Sequence, residues 1–197
     1  MLRLPTIVKI TCTKPSIKMD LASLEQQLQC PDLAPVERWQ PKFCGDLPLL
    51  ITADGRWLYQ GSEIRRQPMV RLFASVLIYQ NQQYYLQTPV EKVRIQVEDV
   101  PFLVVGSHWQ DSINGPLLTL TTNIGDAVSV TPRFPLHLKS YQQQYLPYLQ
   151  LWRGLSARLN RNTYYQLITQ CSEVYCDGAI HYQLKSAGYP FTLGMLS

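Results

Sequence analysis

A run of short, strand-like segments fills the second half of this chain and constrains its fold more than any other feature. The segments have strand-like lengths and patterns, and turn-forming pairs such as Asn114-Gly115 separate them. They read QYYLQT, KVRIQVE, PFLVVGS, PLLTLTT, AVSVT, PLHL and YLQLW. Because short turns join neighbouring strands in opposite directions, the pattern predicts an antiparallel meander from Gln82 onward.

Two segments have helical rather than strand periodicity. Pro68 suits the first turn of a helix, and apolar residues within 69–77 share one face, so a helix is predicted to begin there and to end at Asn81. A second helix is predicted over about 162–171.

Asp-Gly pairs predict hairpins at two further places. Asp54-Gly55 lies within LPLLITADGRWLYQGSEI, ahead of the first helix, and Asp177-Gly178 turns the chain into a last hairpin. We therefore predict an α+β fold with mainly antiparallel sheets and two helices.

The predicted elements divide the chain into three parts. Residues 1–40 contain several prolines, and they are predicted to form an N-terminal arm that docks elsewhere. Residues 41–81 form a first strand-helix unit, and residues 82–197 form a strand-rich domain that contains the second helix.

A sparse internal repeat appears when the two predicted helices are superposed. Trp57 and Trp152 lie 95 positions apart. The same offset matches Ile64 with Leu159, Arg66 with Arg161, Met69 with Tyr164 and Leu72 with Leu167. The repeat indicates a duplicated strand-helix unit, with chance similarity as the alternative.

The composition indicates a globular protein and limits the classes of partner that it is expected to bind. Of the 197 residues, 46% are hydrophobic and 16% are charged, which excludes a disordered or fibrous chain. The formal net charge of +4 is too small to predict a nucleic-acid interface, but it is compatible with a small anionic ligand. No segment approaches the roughly 20 apolar residues of a spanning helix, so we expect a cytoplasmic protein without membrane insertion.

Sequence signatures of common reactive sites are missing. The three histidines are far apart, the five cysteines are irregularly spaced, and there is no GxSxG, P-loop or GxGxxG motif. We predict neither a metal nor a cofactor, and an enzymatic activity has no support. A redox role for Cys171 and Cys176 is the alternative to ordinary packing.

Arginines are concentrated just before or at the start of each predicted helix. Arg65 and Arg66 precede the first helix, and Arg158 and Arg161 approach the second. Because a helix N-terminus already has a partial positive charge, cations there favour a nearby anion. That anion is either a bound phosphate or carboxylate, or an internal acidic side chain such as Glu63.

The segment TPVEKVRIQVEDVP, residues 88–101, places Val93, Ile95 and Val97 on one face of a strand and charged residues on the other. Lys92, Arg94 and Glu98 belong to that polar face. The charges are interpreted either as an internal brace or as part of a site. A second candidate is the turn TNIGDAV, where the amides around Gly125 can form an anion nest or simply a hairpin turn.

Several segments together resemble the bacterial family known only as domain of unknown function 1285. They are CGDLPLLITADGRWLYQGSEIRRQPMVRLFASVL, YYLQTPVEKVRIQVEDVPFLVV, TNIGD and LQLWRGLSARLNR, and TPVEK with VEDVPF is the most specific part. The resemblance covers about residues 39–170. It implies a duplicated core, a C-terminal half similar to pleckstrin-homology domains, and a ligand site between the two halves.

The first functional hypothesis is therefore a regulatory protein in signal transduction that binds a small anionic ligand, for example one of nucleotide type, between two related halves. A protein-interaction module without a small ligand is the alternative, and an enzyme comes third. The predicted ligand-binding residues are Arg65, Arg66, Glu91, Lys92, Arg94, Asn123, Arg153 and Arg161.

Overall fold

The computed structural model of the chain describes residues 35–176 and 178–196. Most of the predicted N-terminal arm and Asp177 of the last predicted turn lie outside the described residues. The helices are α1 (Gln67–Ser75) and α2 (Arg161–Ile168), and short 3₁₀ turns occupy Val36–Arg38 and Trp152–Gly154. The strands are β1 (Lys42–Ile51), β2 (Trp57–Tyr59), β3 (Ser62–Glu63), β4 (Leu77–Gln80), β5 (Gln83–Gln87), β6 (Glu91–Val97), β7 (Phe102–Gln110), β8 (Leu117–Thr122), β9 (Ala127–Ser129), β10 (Leu136–Tyr141), β11 (Gln144–Gln150), β12 (Ser156–Leu159), β13 (Ser172–Cys176), β14 (Ala179–Ser186) and β15 (Tyr189–Leu196).

The first sheet has the order β3-β2-β1-β6-β5-β4. Its two central strands, β1 and β6, run parallel, and its other pairs are antiparallel. β6 alternates as its sequence predicts, because Val93 and Ile95 are buried while Arg94 and Gln96 are exposed. On the buried side, the ring of Trp57 stacks on that of Phe73 in α1, with 6.3 Å between centroids.

The second sheet repeats the connectivity of the first. Its order is β9-β8-β7-β12-β11-β10, and its central strands β7 and β12 are again parallel. A third sheet, β13-β14-β15, follows α2 and is antiparallel throughout. Antiparallel pairs therefore predominate, which confirms the predicted α+β class, and the described residues contain two α-helices. The likeness to pleckstrin-homology domains stays a prediction.

The predicted repeat agrees with the structure at the helices but not at the tryptophans. An offset of 95 residues places α1 over α2, and each helix is followed by three antiparallel strands. The tryptophans of the same offset differ in structure, because Trp57 lies in β2 and Trp152 lies in a 3₁₀ turn. The strands of the two sheets correspond one to one, from β1 with β7 to β6 with β12, but these pairs do not follow the offset of 95 residues.

The end of the first helix was wrongly predicted. α1 ends at Ser75, and Leu77–Gln80 forms β4, which pairs with β5. Asn81 and Gln82 connect these strands with φ angles of 51° and 60°, the left-handed geometry that a two-residue hairpin turn requires. The predicted boundary between residues 81 and 82 falls inside this turn, and β4, β5 and β6 belong to the same sheet as β1.

Candidate functional site

The two sheets are joined at the short connection from β6 to β7, where two similar turns meet. In each turn a glycine N–H donates to a threonine carbonyl, from Gly55 to Thr52 and from Gly125 to Thr122, both at 2.9 Å. Asn123 fixes the second turn, because its side-chain oxygen accepts from the N–H of Leu103 at 3.1 Å. Its amide nitrogen also lies 3.5 Å from the carbonyl oxygen of Gly55. The structure therefore places Asn123 between the turns of the two halves.

A buried polar cluster, here called the junction cluster, lies beside these turns and consists of Asp99, Tyr148, Arg158 and the backbone of Ala53. The Asp99 side chain is only 1% exposed. The Tyr148 hydroxyl donates to both carboxylate oxygens, at 2.9 and 3.0 Å, and Arg158 Nε lies 3.4 Å from one of them. Arg158 Nη2 also donates to the Ala53 carbonyl at 2.7 Å.

The junction cluster keeps Tyr148 protonated and separates the roles of two neighbouring acids. Burial, together with the hydrogen bond to Asp99, raises the pKa of the Tyr148 hydroxyl, so it remains a donor at neutral pH. Glu98, one of the charges interpreted from the sequence as an internal brace or part of a site, accepts from the Ala53 N–H at 2.7 Å and is exposed. Asp99 is the acid that meets an arginine in the interior.

Arg153 makes a second connection between the halves. It lies in the 3₁₀ turn before β12 and has a left-handed backbone, with φ at 56°. Its side chain is 5% exposed, and its Nε donates to Glu37 at 2.7 Å while its Nη1 donates to the Ser75 carbonyl at 2.6 Å. Burial alone would raise the pKa of Glu37, but the hydrogen bond and charge of Arg153 outweigh it and hold that pKa low.

A groove of about 520 Å³ opens next to Arg153, and we call it the boundary groove. Arg153 comes from the C-terminal half and the other lining residues from the N-terminal half. The lining residues are Val36, Glu37, Trp39, Gln40, Pro41, Ile78, Tyr79, Gln80, Gln87, Lys92 and Arg153.

Two lining residues of the boundary groove organise its shape. Gln87 is buried, and its side-chain amide donates to the carbonyls of Val36 and Trp39, at 2.8 and 3.0 Å. These bonds hold the segment before β1 against the first sheet. Lys92 Nζ donates to Gln80 Oε1 at 2.6 Å and lies 4.2 Å from the centroid of the Tyr85 ring.

Of the eight residues predicted for the ligand site, the boundary groove brings together Lys92 and Arg153. Arg94 instead forms a two-point ion pair with Asp46 on the exposed face of the first sheet, at 2.6 and 2.7 Å. Arg161 begins α2, where its guanidinium lies 5.5 Å from the ring centroid of Tyr165.

The remaining predicted residues also lie outside the lining of the groove. Arg65 and Arg66 are exposed ahead of α1, with Arg66 at the N-cap, and Glu91 is half-buried at the start of β6. Reasoning from sequence missed Trp39 and Gln87 as groove residues. No local signal identifies them, because the segment around Trp39 reaches the groove only through tertiary contacts.

Other potential sites give little support for reactive chemistry in the described residues. No three His, Cys, Asp or Glu side chains there gather closely enough to hold a metal ion. Cys44, Cys171 and Cys176 are free thiols, and burial raises the pKa of Cys171 to about 11, so this thiol is protonated at neutral pH. Neither α1 nor α2 is long and apolar enough to cross a membrane.

These features define a two-domain α+β protein whose halves are connected by a buried polar cluster and share an open groove at their boundary. The chain belongs to the DUF1285 family. The model described as "Domain of unknown function (DUF1285), N-terminal domain" matches residues 34–100, and that described as "Protein of unknown function (DUF1285), C-terminal domain" matches residues 101–193. The match confirms the resemblance seen in the sequence, and its division falls between β6 and β7.

Two solved structures extend the comparison. The chain is similar to a DUF1285 family protein from Silicibacter pomeroyi DSS-3, with 36% identity, a TM-score of 0.76, and coverage of 88% of this chain and 93% of that one. It is also similar to a DUF1285 family protein from Shewanella baltica OS155, with 33% identity, a TM-score of 0.52, and coverage of 64% and 94%. The comparison with curated proteins finds no match.

Proposed function

We propose that this protein is a ligand-binding regulatory protein that takes a small anionic molecule into the boundary groove and signals its occupancy to a partner. The observation that carries the proposal is the position of Lys92 and Arg153 on one groove at the boundary of the two halves. The groove volume of about 520 Å³ lies within the range of roughly 300–1,000 Å³ typical of small-molecule sites.

The charges of the groove favour an anion over a cation. Lys92 and Arg153 contribute two positive charges to the lining, and Glu37 contributes one negative charge. The low pKa of Glu37 keeps it ionised in the neutral range, so the net charge of the lining is one positive unit. An anion that enters gains this attraction in a partly enclosed space, where screening by water is weaker than at an open surface.

The location of the groove suits regulation. Arg153 belongs to the C-terminal half, whereas its hydrogen-bond partners Glu37 and Ser75 belong to the N-terminal half. A ligand that contacts Arg153 together with the N-terminal half favours the arrangement of the two halves that provides both contacts. The occupied state then differs from the empty state in the stability of this connection, and a partner can recognise that difference.

The test is a thermal-shift screen of small carboxylates, phosphates and nucleotides, followed by a comparison of two variants. A ligand present at 100 times its Kd adds about 2.7 kcal/mol to stability. Lys92→Gln removes a groove cation, and Arg94→Gln is the matched control, because it removes a cation from the same strand outside the groove lining. We expect the ligand-induced shift to be clearly smaller in Lys92→Gln than in the wild type, and to be kept in Arg94→Gln. Equal loss in both variants, or no shift with any compound, contradicts the proposal.

One observation favours the alternative, a protein-interaction module. Tyr175 and Leu196 are opposite the same residue of β14, Ile180, and they are 77% and 59% exposed. Exposed apolar side chains on adjacent strands are a common feature of protein interfaces. If the screen finds no ligand, a Tyr175→Ser, Leu196→Ser double variant that loses a partner captured by the wild type would support this alternative.

A further inference from the structure

We infer that the ligand of the boundary groove is a monoanion, a carboxylate attached to a planar apolar body, and not a nucleoside polyphosphate. This inference rests on the proposed function of the groove. It follows from the hydrogen bonds that the groove cations already make, and from the types of side chain that surround them.

Arg153 has its charge balanced and its donors engaged within the protein. Glu37 and the Ser75 carbonyl accept from two of its nitrogens, and the side chain is almost fully buried. A ligand that recruited this guanidinium would have to displace Glu37 and leave that carboxylate without its partner. Arg153 therefore shapes the groove and contributes little of the charge that is available to a ligand.

Lys92 is the cation that can still recognise an anion. An ammonium group has three N–H donors, and in the described part of the chain Gln80 Oε1 is the acceptor that it meets. Because Gln80 accepts through its oxygen, its NH₂ group remains a donor on the same patch. An ammonium and an amide NH₂ side by side suit the two oxygens of one carboxylate.

The groove lacks the parts with which proteins usually hold several phosphates. Polyphosphates are bound by backbone N–H groups of glycine-rich loops, by helix N-termini and by several cations together. None of the lining residues is a glycine, and neither of the two α-helices of the described residues contributes its N-terminus to the lining. A triphosphate there would have one available ammonium for about four negative charges, and Glu37 would repel it.

The other side chains of the groove favour a flat, apolar body. Trp39 and Tyr79 both line it, and the Tyr79 ring is held by Tyr84, with 4.6 Å between ring centroids. Ile78, Pro41 and Val36 add apolar surface. Aromatic and apolar walls of this kind bind rings by stacking and by excluding water. Phenylacetate is the simplest probe that combines such a ring with one carboxylate.

The experiment is isothermal titration of the full-length protein with five probes at one ionic strength: phenylacetate, phenylacetamide, acetate, inorganic phosphate and ATP. We expect phenylacetate to bind most tightly. A lost charge-assisted hydrogen bond is worth about 1.5–3 kcal/mol, so the neutral amide should bind about tenfold or more weakly. Lys92→Gln should weaken phenylacetate by a similar factor, and Arg94→Gln should leave its affinity unchanged.

The outcomes separate this inference from the proposed function. If ATP or phosphate binds more tightly than phenylacetate and Lys92→Gln abolishes that binding, the groove is an anion site but the monoanion inference is wrong. If acetate binds as well as phenylacetate, the inference that the ligand has a planar apolar body is wrong. If no probe binds, or if binding is the same in Lys92→Gln and the wild type, the proposed function fails together with the inference.

Discussion

Replacing Asp99 by alanine should be among the most damaging single changes at the domain boundary. Asp99 is buried, and its carboxylate accepts two contacts from the Tyr148 hydroxyl and faces Arg158. Asp99→Ala leaves the hydroxyl without its acceptor and the guanidinium without its counter-charge. Both groups then remain in a poorly solvated interior, where water cannot replace the interactions lost with Asp99.

The magnitude follows from these two losses. A buried hydroxyl that loses its partner costs about 1–3 kcal/mol, and breaking a buried ion pair costs about 3–5 kcal/mol. Arg158 is 18% exposed and keeps its hydrogen bond to the Ala53 carbonyl, so its share lies at the low end. We expect Asp99→Ala to lower the free energy of unfolding by about 4–6 kcal/mol, of which about 3 kcal/mol comes from the ion pair and about 1–3 kcal/mol from the hydroxyl. Glu98→Ala, next to it in the chain, removes one exposed hydrogen bond and should cost about 1 kcal/mol.

Urea denaturation at neutral pH measures both variants, and Asp99→Asn provides a version that preserves the shape of the side chain. A double-mutant cycle of Asp99→Asn with Tyr148→Phe should give a coupling energy of at least about 0.5 kcal/mol, since the two groups are in direct contact. If Asp99→Ala costs no more than Glu98→Ala, or if the cycle is additive, the junction cluster does not hold the halves together in the way we describe.

Three further predictions concern pH and backbone geometry. The pKa of Glu37 is lowered below 4.5 in the folded protein, so its pairing with Arg153 stabilises the fold above pH 4.5. This stabilisation is lost as the pH falls through the folded pKa. Urea denaturation between pH 3 and 6 should therefore show a weaker pH dependence in Glu37→Gln than in the wild type. Burial raises the pKa of Asp126 above 3.8, so its charged form is disfavoured in the folded state; Asp126→Asn should be more stable than the wild type at pH 7, with no difference well below pH 3.8, and a loss of stability at pH 7 would contradict this. Gln82 has a φ of 60°, so Gln82→Gly creates the favoured Asn-Gly turn after Asn81 and should raise stability by about 0.5–1 kcal/mol in thermal or urea unfolding.

The sequence was most informative where local periodicity decides the structure. The alternation of Val93 and Ile95 with polar residues identified β6 and its buried face, and Asp54-Gly55 identified the turn between β1 and β2. It failed at 76–81 because a short apolar run fits either a helix or a strand. Pairing with β5 decides in favour of the strand, and that contact is not visible in the local pattern.

The candidate site was only partly predictable for a related reason. Lys92 and Arg153 were expected in a site, but the other four predicted cations lie outside the groove lining. Arg94 pairs with Asp46, a residue far away in the chain, and such partners depend on the order of strands in the sheet. The contribution of Trp39 depends on Gln87, which holds the segment from a distance of 48 residues. Neither of these two contacts produces a sequence pattern at helical or strand spacing.

The parallel pairing of β1 with β6, and of β7 with β12, has a consequence for synthesis on the ribosome. In each sheet the first strand to be synthesised pairs at the centre with the last strand to be synthesised. The strands made between these two lie towards the edges of the sheet. The N-terminal sheet can close only after Val97 has left the exit tunnel, and the C-terminal sheet only after Leu159. Until then β1 and β7 each expose an unpaired edge in the nascent chain, and such edges are prone to aggregate. Each half should therefore complete its sheet late, and a pause in translation before either point would extend the period in which the chain needs a chaperone.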